Sequence, residues 1–263
     1  MKALTTGQVI LLVAQAAAAL GLPEMIHSRD SLGINIVGGD EAPLGEFPCM
    51  ISLSMSDGHH CGGVLLNAYT VITAAHCVLN TLTSAIKIRA GSLNWASGGI
   101  QVNISSYAVR PSFNLETADN DLAMVHLADP ILEAESIGYA TLPSQGSDPV
   151  DGSLTTVIGW GYVEENGSGR SDVLRKVSIP VVSRDKCQVA YLNSNITENM
   201  FCAGTGGKGS CDYDSGGPVI DQATGEVVGL VSWGNGCARS DYPGVYVRVG
   251  NYVDYITSSW RNP

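Results

Sequence analysis

Apolar residues in this chain fall in short runs punctuated by Gly, Pro, Asn, Asp and Ser, not at the three-and-four spacing of amphipathic helices. The pattern predicts strands over 48–54, 62–67, 70–74, 86–90, 100–109 and 121–127. A second set follows over 155–160, 174–182, 218–221, 226–233 and 244–249. Between the sets, residues 142–152 are rich in Pro, Gly, Ser and Asp and read as a crossing between two β units. Helical character is confined to about 183–191 and 252–260. No internal repeat or low-complexity tract interrupts the pattern. The expectation is an all-β protein in two halves.

The N-terminal stretch follows a different rule. Met1-Lys2 gives a short basic start, residues 9–20 are mostly apolar, and Ala17-Ala18-Ala19 offers small residues for cleavage. Residues 1–19 are therefore expected to be a signal peptide, and the protein to be secreted. A membrane anchor is the competing reading; the stretch is short for a span and no second apolar segment follows. Residues 20–35 are short, mixed and punctuated by Pro and Gly, with no periodic element.

Composition narrows the class. The 263 residues are 44% hydrophobic and 15% charged, an ordinary globular balance, and 31 are Gly, which suits many turns. Net charge is −11, and since Lys2 and Arg29 offset Glu24 and Asp30, all of it lies beyond residue 35. Such an acidic body argues against nucleic acid or an anionic membrane as partner. Seven cysteines fit an oxidising compartment. Asn103, Asn166 and Asn195 each open an Asn-x-Ser/Thr tripeptide, a glycan acceptor pattern suited to a secreted surface.

Candidate chemistry gathers on three residues. Ser215 sits in Asp214-Ser215-Gly216-Gly217-Pro218. A serine hydroxyl is a poor nucleophile unless a base stands beside it, and the glycines let backbone N–H groups approach a developing oxyanion. His76, in Thr73-Ala74-Ala75-His76-Cys77, is the candidate base. Asp121 opens the apolar run Asp121-Leu122-Ala123-Met124-Val125 and is the candidate orienting carboxylate; Asp119, two residues earlier, competes as turn chemistry.

These motifs, with Ile36-Val37-Gly38-Gly39 ahead of them and Ser232-Trp233-Gly234 after, resemble the chymotrypsin/trypsin family in order and spacing from Ile36 nearly to the C-terminus. Arg89-Ala90-Gly91-Ser92-Leu93 and the stretch from Ser232 to Arg239 look most like the secreted trypsins of filamentous fungi. The resemblance implies two orthogonal six-stranded antiparallel β-barrels, the active site between them, and a short C-terminal helix. It implies a serine endopeptidase working through an acyl-enzyme, with Ser215 as nucleophile, His76 as base and Asp121 fixing the histidine. The backbone N–H groups of Tyr213 and Ser215 would form the oxyanion hole. Residues 20–35 become an activation propeptide and 36–263 the protease domain. Cleavage at Asn35-Ile36 would free an ammonium at Ile36 to pair with Asp214. Asn35 is not basic, so an activating protease of other than tryptic preference, or stepwise trimming, is expected. The family's disulfides imply Cys61 with Cys77, Cys187 with Cys202, and Cys211 with Cys237. Cys49 is left over in an apolar run and is expected as a buried free thiol, with intermolecular pairing as the alternative. Substrates would be proteins or peptides, protein inhibitors are expected binders, and the protein would act as a monomer without cofactor.

The sequence departs from the trypsin pattern in two places. Where trypsins carry an aspartate on the pocket floor, this chain has Gly209, with Gly234 and Gly244 at the walls and Ser232-Trp233 beside them. A Lys or Arg side chain would enter with its charge unpaired, which is costly. A neutral, roomy pocket with chymotrypsin-like preference for large apolar or aromatic P1 residues is expected. Asp212 at the rim offers the alternative, a Lys/Arg preference from the mouth; Asp241 reads as a solvated loop residue. The second departure is Tyr213, where the family has glycine. Its β-carbon restricts the backbone and its ring should crowd the leaving-group side, so an impaired homologue that only binds proteins is the rival reading. His59-His60 reads as an exposed strand end and His126 as structural. The loop 91–99 lacks calcium-binding glutamates, so no metal is expected.

Overall fold

The computed structural model describes residues 36–167, 169–204 and 206–261; the expected signal peptide and propeptide lie outside them. Among the described residues, thirteen strands dominate. In the first half these are β1 (Asp40–Glu41), β2 (Met50–Met55), β3 (Gly58–Asn67), β4 (Thr70–Thr73), β5 (Lys87–Ala90), β6 (Ile100–Val109) and β7 (Ala123–Leu127). The second half holds β8 (Leu154–Gly159), β9 (Arg175–Val182), β10 (Met200–Ala203), β11 (Pro218–Asp221), β12 (Val227–Trp233) and β13 (Gly244–Arg248). Two short α-helices, α1 (Arg184–Ala190) and α2 (Val253–Ser258), match the two expected helical stretches.

The strands close into two six-stranded antiparallel barrels. The first runs β2-β3-β4-β7-β6-β5. The second runs β9-β10-β13-β12-β11-β8 and closes through β8–β9, with the two-residue β1 added at β9. The expected crossing at 142–152 lies in the connection from β7 to β8. Two strands escaped the sequence pattern. β1 is only two residues long, and β10 is four residues, Met-Phe-Cys-Ala, buried throughout and therefore without alternation.

The side-chain period of two explains how one strand serves two cores. Leu65, Val71 and Val125 point into the first barrel with Ile51, Leu53 and Ile88. Their neighbours Val64, Leu66, Ile72 and Met124 point the other way, onto Leu230, Val247 and Ile256. The strands are covered on both faces, so they read as continuous apolar runs. α2 and the C-terminal segment pin this contact: Tyr252 and Ile256 are buried in it, and the Arg261 amide donates to Thr70 Oγ1 at 3.1 Å. His126 on β7 donates from Nε2 to the Ser259 carbonyl at 3.1 Å, which accounts for it structurally. Cys49 lies in the same interbarrel core as a free thiol, and burial pushes its pKa up to about 11, so it stays neutral. Asn103, Asn166 and Asn195 are all exposed. No described helix is long and apolar enough to cross a membrane.

Candidate active site

Asp121 precedes β7, is 1% exposed, and is held from three directions. Its Oδ1 accepts the His76 backbone N–H at 3.0 Å. Its Oδ2 accepts His76 Nδ1 at 2.8 Å and the Ser232 hydroxyl at 2.6 Å. A carboxylate can only accept, so Nδ1 carries the ring proton and Nε2 is left with a lone pair. The two bonds from His76 fix both tautomer and orientation of the imidazole, and the Ser232 hydroxyl holds the carboxylate in place. Asp119, the rival in sequence, faces elsewhere: Thr197 Oγ1 and Asn199 Nδ2 donate to it at 2.7 and 3.0 Å.

Ser215 reaches the same cleft through its backbone. Its carbonyl accepts from the Gly62 amide at 2.8 Å. Gly216, at φ +75°, lies so close to Thr73 and Ala74 that a β-carbon there would fall on the Thr73 hydroxyl. The glycine thus lets the Ser215 turn press against the segment leading into His76. Among the described residues no hydrogen bond joins Ser215 Oγ to His76; such bonds commonly tighten only with substrate bound. Cys61–Cys77, Cys187–Cys202 and Cys211–Cys237 are bonded, the first beside His76 and the last beside the Ser215 turn.

Tyr213 adopts φ +73°, a left-handed conformation that costs a residue with a β-carbon about 1–2 kcal/mol. Its carbonyl accepts a hydrogen bond at 3.0 Å from His59 Nε2. His59 corrects the expectation of an exposed strand end. β3 begins at Gly58, so His59 pairs with Ser54 inside the β2–β3 hairpin, and the ring is fully buried. With Nε2 donating to a carbonyl, Nδ1 must accept from the Ser52 hydroxyl, 2.8 Å away. Burial lowers its pKa to about 4, so the ring is neutral.

Asp214 is completely buried and accepts the amides of Gly161 and Cys211 at 2.7 and 2.9 Å. Burial outweighs those two donors and raises its pKa to about 7. Nearby, the Ile36 side chain is fully buried in the second barrel's core, and the Val37 carbonyl accepts the Gly209 amide at 3.2 Å.

A cavity of about 570 Å³ opens beside Ser215. Its lining brings together Gly209, Asp212, Ser232, Trp233, Gly234 and Gly244, the residues named from the sequence, and adds Ser210. The Ser210 hydroxyl meets that of the buried Tyr246 at 3.3 Å. Asp212 is exposed on the lining, and so is Lys208, a cation that sequence reasoning left out. A second omission is an ion pair of 2.6 Å from Arg239 to Glu165 across the rim. Neither carries a pattern: a lone charge in a loop looks like any solvated residue. Asp241 is exposed and bonds only its neighbour Ser240.

Two clusters of three metal-type ligands occur among the described residues, around Cys61–Cys77 and Cys211–Cys237. In both, the sulfurs are tied in disulfides and offer no thiolate. In the loop 91–99, Arg89 donates to the carbonyls of Trp95, Ala96 and Gly98, so a side-chain cation organises it.

A family model described as Trypsin matches residues 36–256. The chain is 41% identical to Trypsin Blo t 3 of Blomia tropicalis over 227 residues, 84% of each chain. It is 41% identical to a trypsin of Phaedon cochleariae over 229 residues, 85% of this chain and 87% of that one. A vitellin-degrading protease of Bombyx mori is 37% identical over 246 residues, 92% of each chain.

Proposed function

The chain belongs to the trypsin family of serine endopeptidases, and from that premise we propose that it is a secreted protease whose catalytic residues are Ser215, His76 and Asp121. The observation that carries this reading is the buried Asp121 carboxylate bonded to His76 Nδ1, which leaves Nε2 as a base. Ser215 Oγ attacks the scissile carbonyl while its proton passes to Nε2. The tetrahedral oxyanion takes hydrogen bonds from the amides of Tyr213 and Ser215. The intermediate collapses as His76 protonates the leaving amine, giving an acyl-enzyme that water then hydrolyses by the same proton path.

The P1 pocket is neutral at its base and prefers large apolar or aromatic side chains. Gly209 supplies no carboxylate, and the Ser210 and Tyr246 hydroxyls offer dipoles, not charge. A Lys/Arg preference through Asp212 is the second reading. It draws on that carboxylate's place at the mouth and on relatives named trypsin. Lys208 on the same lining works against it. Labelling with an organophosphate should modify Ser215 and abolish activity, and a P1 panel should rank Phe, Tyr and Leu above Lys and Arg. No labelling of correctly matured protein would favour the impaired, binding-only homologue, and a dominant Arg preference would sink the neutral-pocket reading.

The protein is made with a signal peptide over 1–19 and a propeptide over 20–35, and becomes active when a protease of other than tryptic preference cuts Asn35-Ile36. The new Ile36 ammonium pairs with Asp214. N-terminal sequencing of the secreted form should begin at Ile36. The uncleaved chain has a pH signature. Its Asp214 has a folded pKa of about 7 against an ordinary 3.8. The folded chain therefore holds a proton that the unfolded chain releases. Stability from this group is fully present below 3.8 and lost as pH rises through about 7, at a cost on the order of 4 kcal/mol. Raising the pH from 5 to 8 should lower the Tm of the precursor more than that of the cleaved protein. Asp214→Asn should flatten the precursor's slope; equal slopes in all three would remove the ion pair from the account.

A further inference from the structure

Tyr213 holds a backbone conformation that its own side chain disfavours, and the contacts that keep it there converge on one residue. Arg170 and Tyr162 face each other in a small antiparallel bridge that closes the loop before β9. Both side chains clasp the Tyr213 ring: Tyr162 at 5.1 Å between ring centres, and Arg170 with its guanidinium carbon 4.7 Å from the centre. The other side of the guanidinium meets Trp95, 5.3 Å from that ring's centre, on the first barrel. At its edge, Arg170 donates to the Asp57 carbonyl at 3.0 Å and to the His59 carbonyl. His59 then donates from its ring to the Tyr213 carbonyl. The circuit closes: Arg170 holds His59, His59 holds the Tyr213 carbonyl, and Arg170 holds the Tyr213 ring. The far end of the same loop is tied down by Glu165 to Arg239.

We propose that Arg170 is a positioning residue for the oxyanion hole, bracing Tyr213 in the left-handed conformation that aims its N–H at the reaction centre. The proposal rests on the reading of Ser215 as nucleophile. Glycine at this position would need no brace, because it adopts a positive φ without strain. Tyrosine does need one. Only a planar cation with several donors can lie against two rings and bond two carbonyls at once, so lysine is a poor substitute. Without the brace Tyr213 relaxes toward negative φ and its N–H swings away from the oxyanion. That oxyanion exists only in the transition state and intermediate, so the loss falls on kcat and leaves KM nearly unchanged.

The test is a coupling cycle on a peptide amide substrate, with rates divided by the active-site concentration from organophosphate titration of Ser215. Complete loss of an oxyanion donor costs about 10²–10³ in rate, so Arg170→Leu, which loosens one, should lower kcat about 10–100-fold with KM within about threefold. Arg170→Lys should fall in the same direction by less, and it carries the cycle if the leucine variant does not fold. In a Tyr213→Gly background the same Arg170 substitution should cost under about threefold, because nothing strained remains to be braced. Unchanged kcat, a rise in KM alone, or an equal loss in both backgrounds overturns the proposal. A wild-type protein that does not label at Ser215 is a different result: it overturns the nucleophile assignment, and the brace with it.

Discussion

Asp121→Asn is expected to lower kcat for an amide substrate about 10⁴-fold, the magnitude known for this substitution in the family's triad and carried over here. The geometry gives the reason. Asparagine can keep an oxygen where Oδ1 accepts the His76 amide, so the loop stays in place. The amide nitrogen then stands where Oδ2 now accepts from His76 Nδ1 and the Ser232 hydroxyl. It presents N–H to Nδ1, which must become the acceptor, and the ring proton moves to Nε2. The base is thereby blocked at Nε2, the atom that takes the Ser215 proton in the proposed mechanism. The Ser232 hydroxyl can turn round and accept, so folding should survive and Tm should move little. Asp119→Asn is the control, because its partners Thr197 and Asn199 lie off the reaction path. It should leave kcat within about twofold, as surface polar changes away from a site do. Comparable losses in both variants, or less than about tenfold in Asp121→Asn, would remove Asp121 from the triad.

Much of this site was legible because its chemistry is local in sequence. The nucleophile turn needs Asp214, Ser215 and two glycines in a row, and His76 stands next to its own disulfide anchor. The interbarrel strands were legible for a different reason: they are apolar on both faces, so they stand out as continuous runs. β10 failed the same rule, since four buried residues are too short a run to announce a strand even between Asn199 and Gly204. Yet β10 joins β9 to β13, and the second barrel cannot close without it.

His59 failed for want of a partner. Its burial depends on the Tyr213 carbonyl, 154 residues away, and no spacing rule connects the two. Arg170 and Arg89 are of the same kind. Arg170 looks like a solvated loop cation and Arg89 like an ordinary strand residue, and each satisfies backbone carbonyls that only the folded chain brings together. Tyr213 lies between these cases. The sequence marks it as unusual, and the structure shows what the oddity requires: a hydrogen bond to its carbonyl and a clasp on its ring.

Gly209→Asp should convert the P1 preference. Gly209 is buried on the cavity lining with no positive φ, and a β-carbon there would meet Ala238 at 3.4 Å, an ordinary contact. Ser210 follows it in the chain on the same lining, and its hydroxyl meets that of the buried Tyr246 at 3.3 Å, so hydroxyl donors stand close to a carboxylate introduced there. In the wild type an entering Arg leaves water without gaining a charge partner at the base. An unpaired buried charge costs about 3–5 kcal/mol relative to the paired state, a factor of about 10²–10⁴. The variant should raise kcat/KM for Arg substrates by about that factor, and lower it for Phe and Tyr substrates, because the new carboxylate must then be buried without a cation. Asp212→Ala separates base from mouth. Asp212 is exposed, and a screened rim charge is worth about 0–1 kcal/mol, so this variant should change the Arg:Phe ratio by less than about fivefold. A larger effect from Asp212→Ala than from Gly209→Asp would place the selectivity at the mouth, because the two carboxylates differ chiefly in how much water surrounds them.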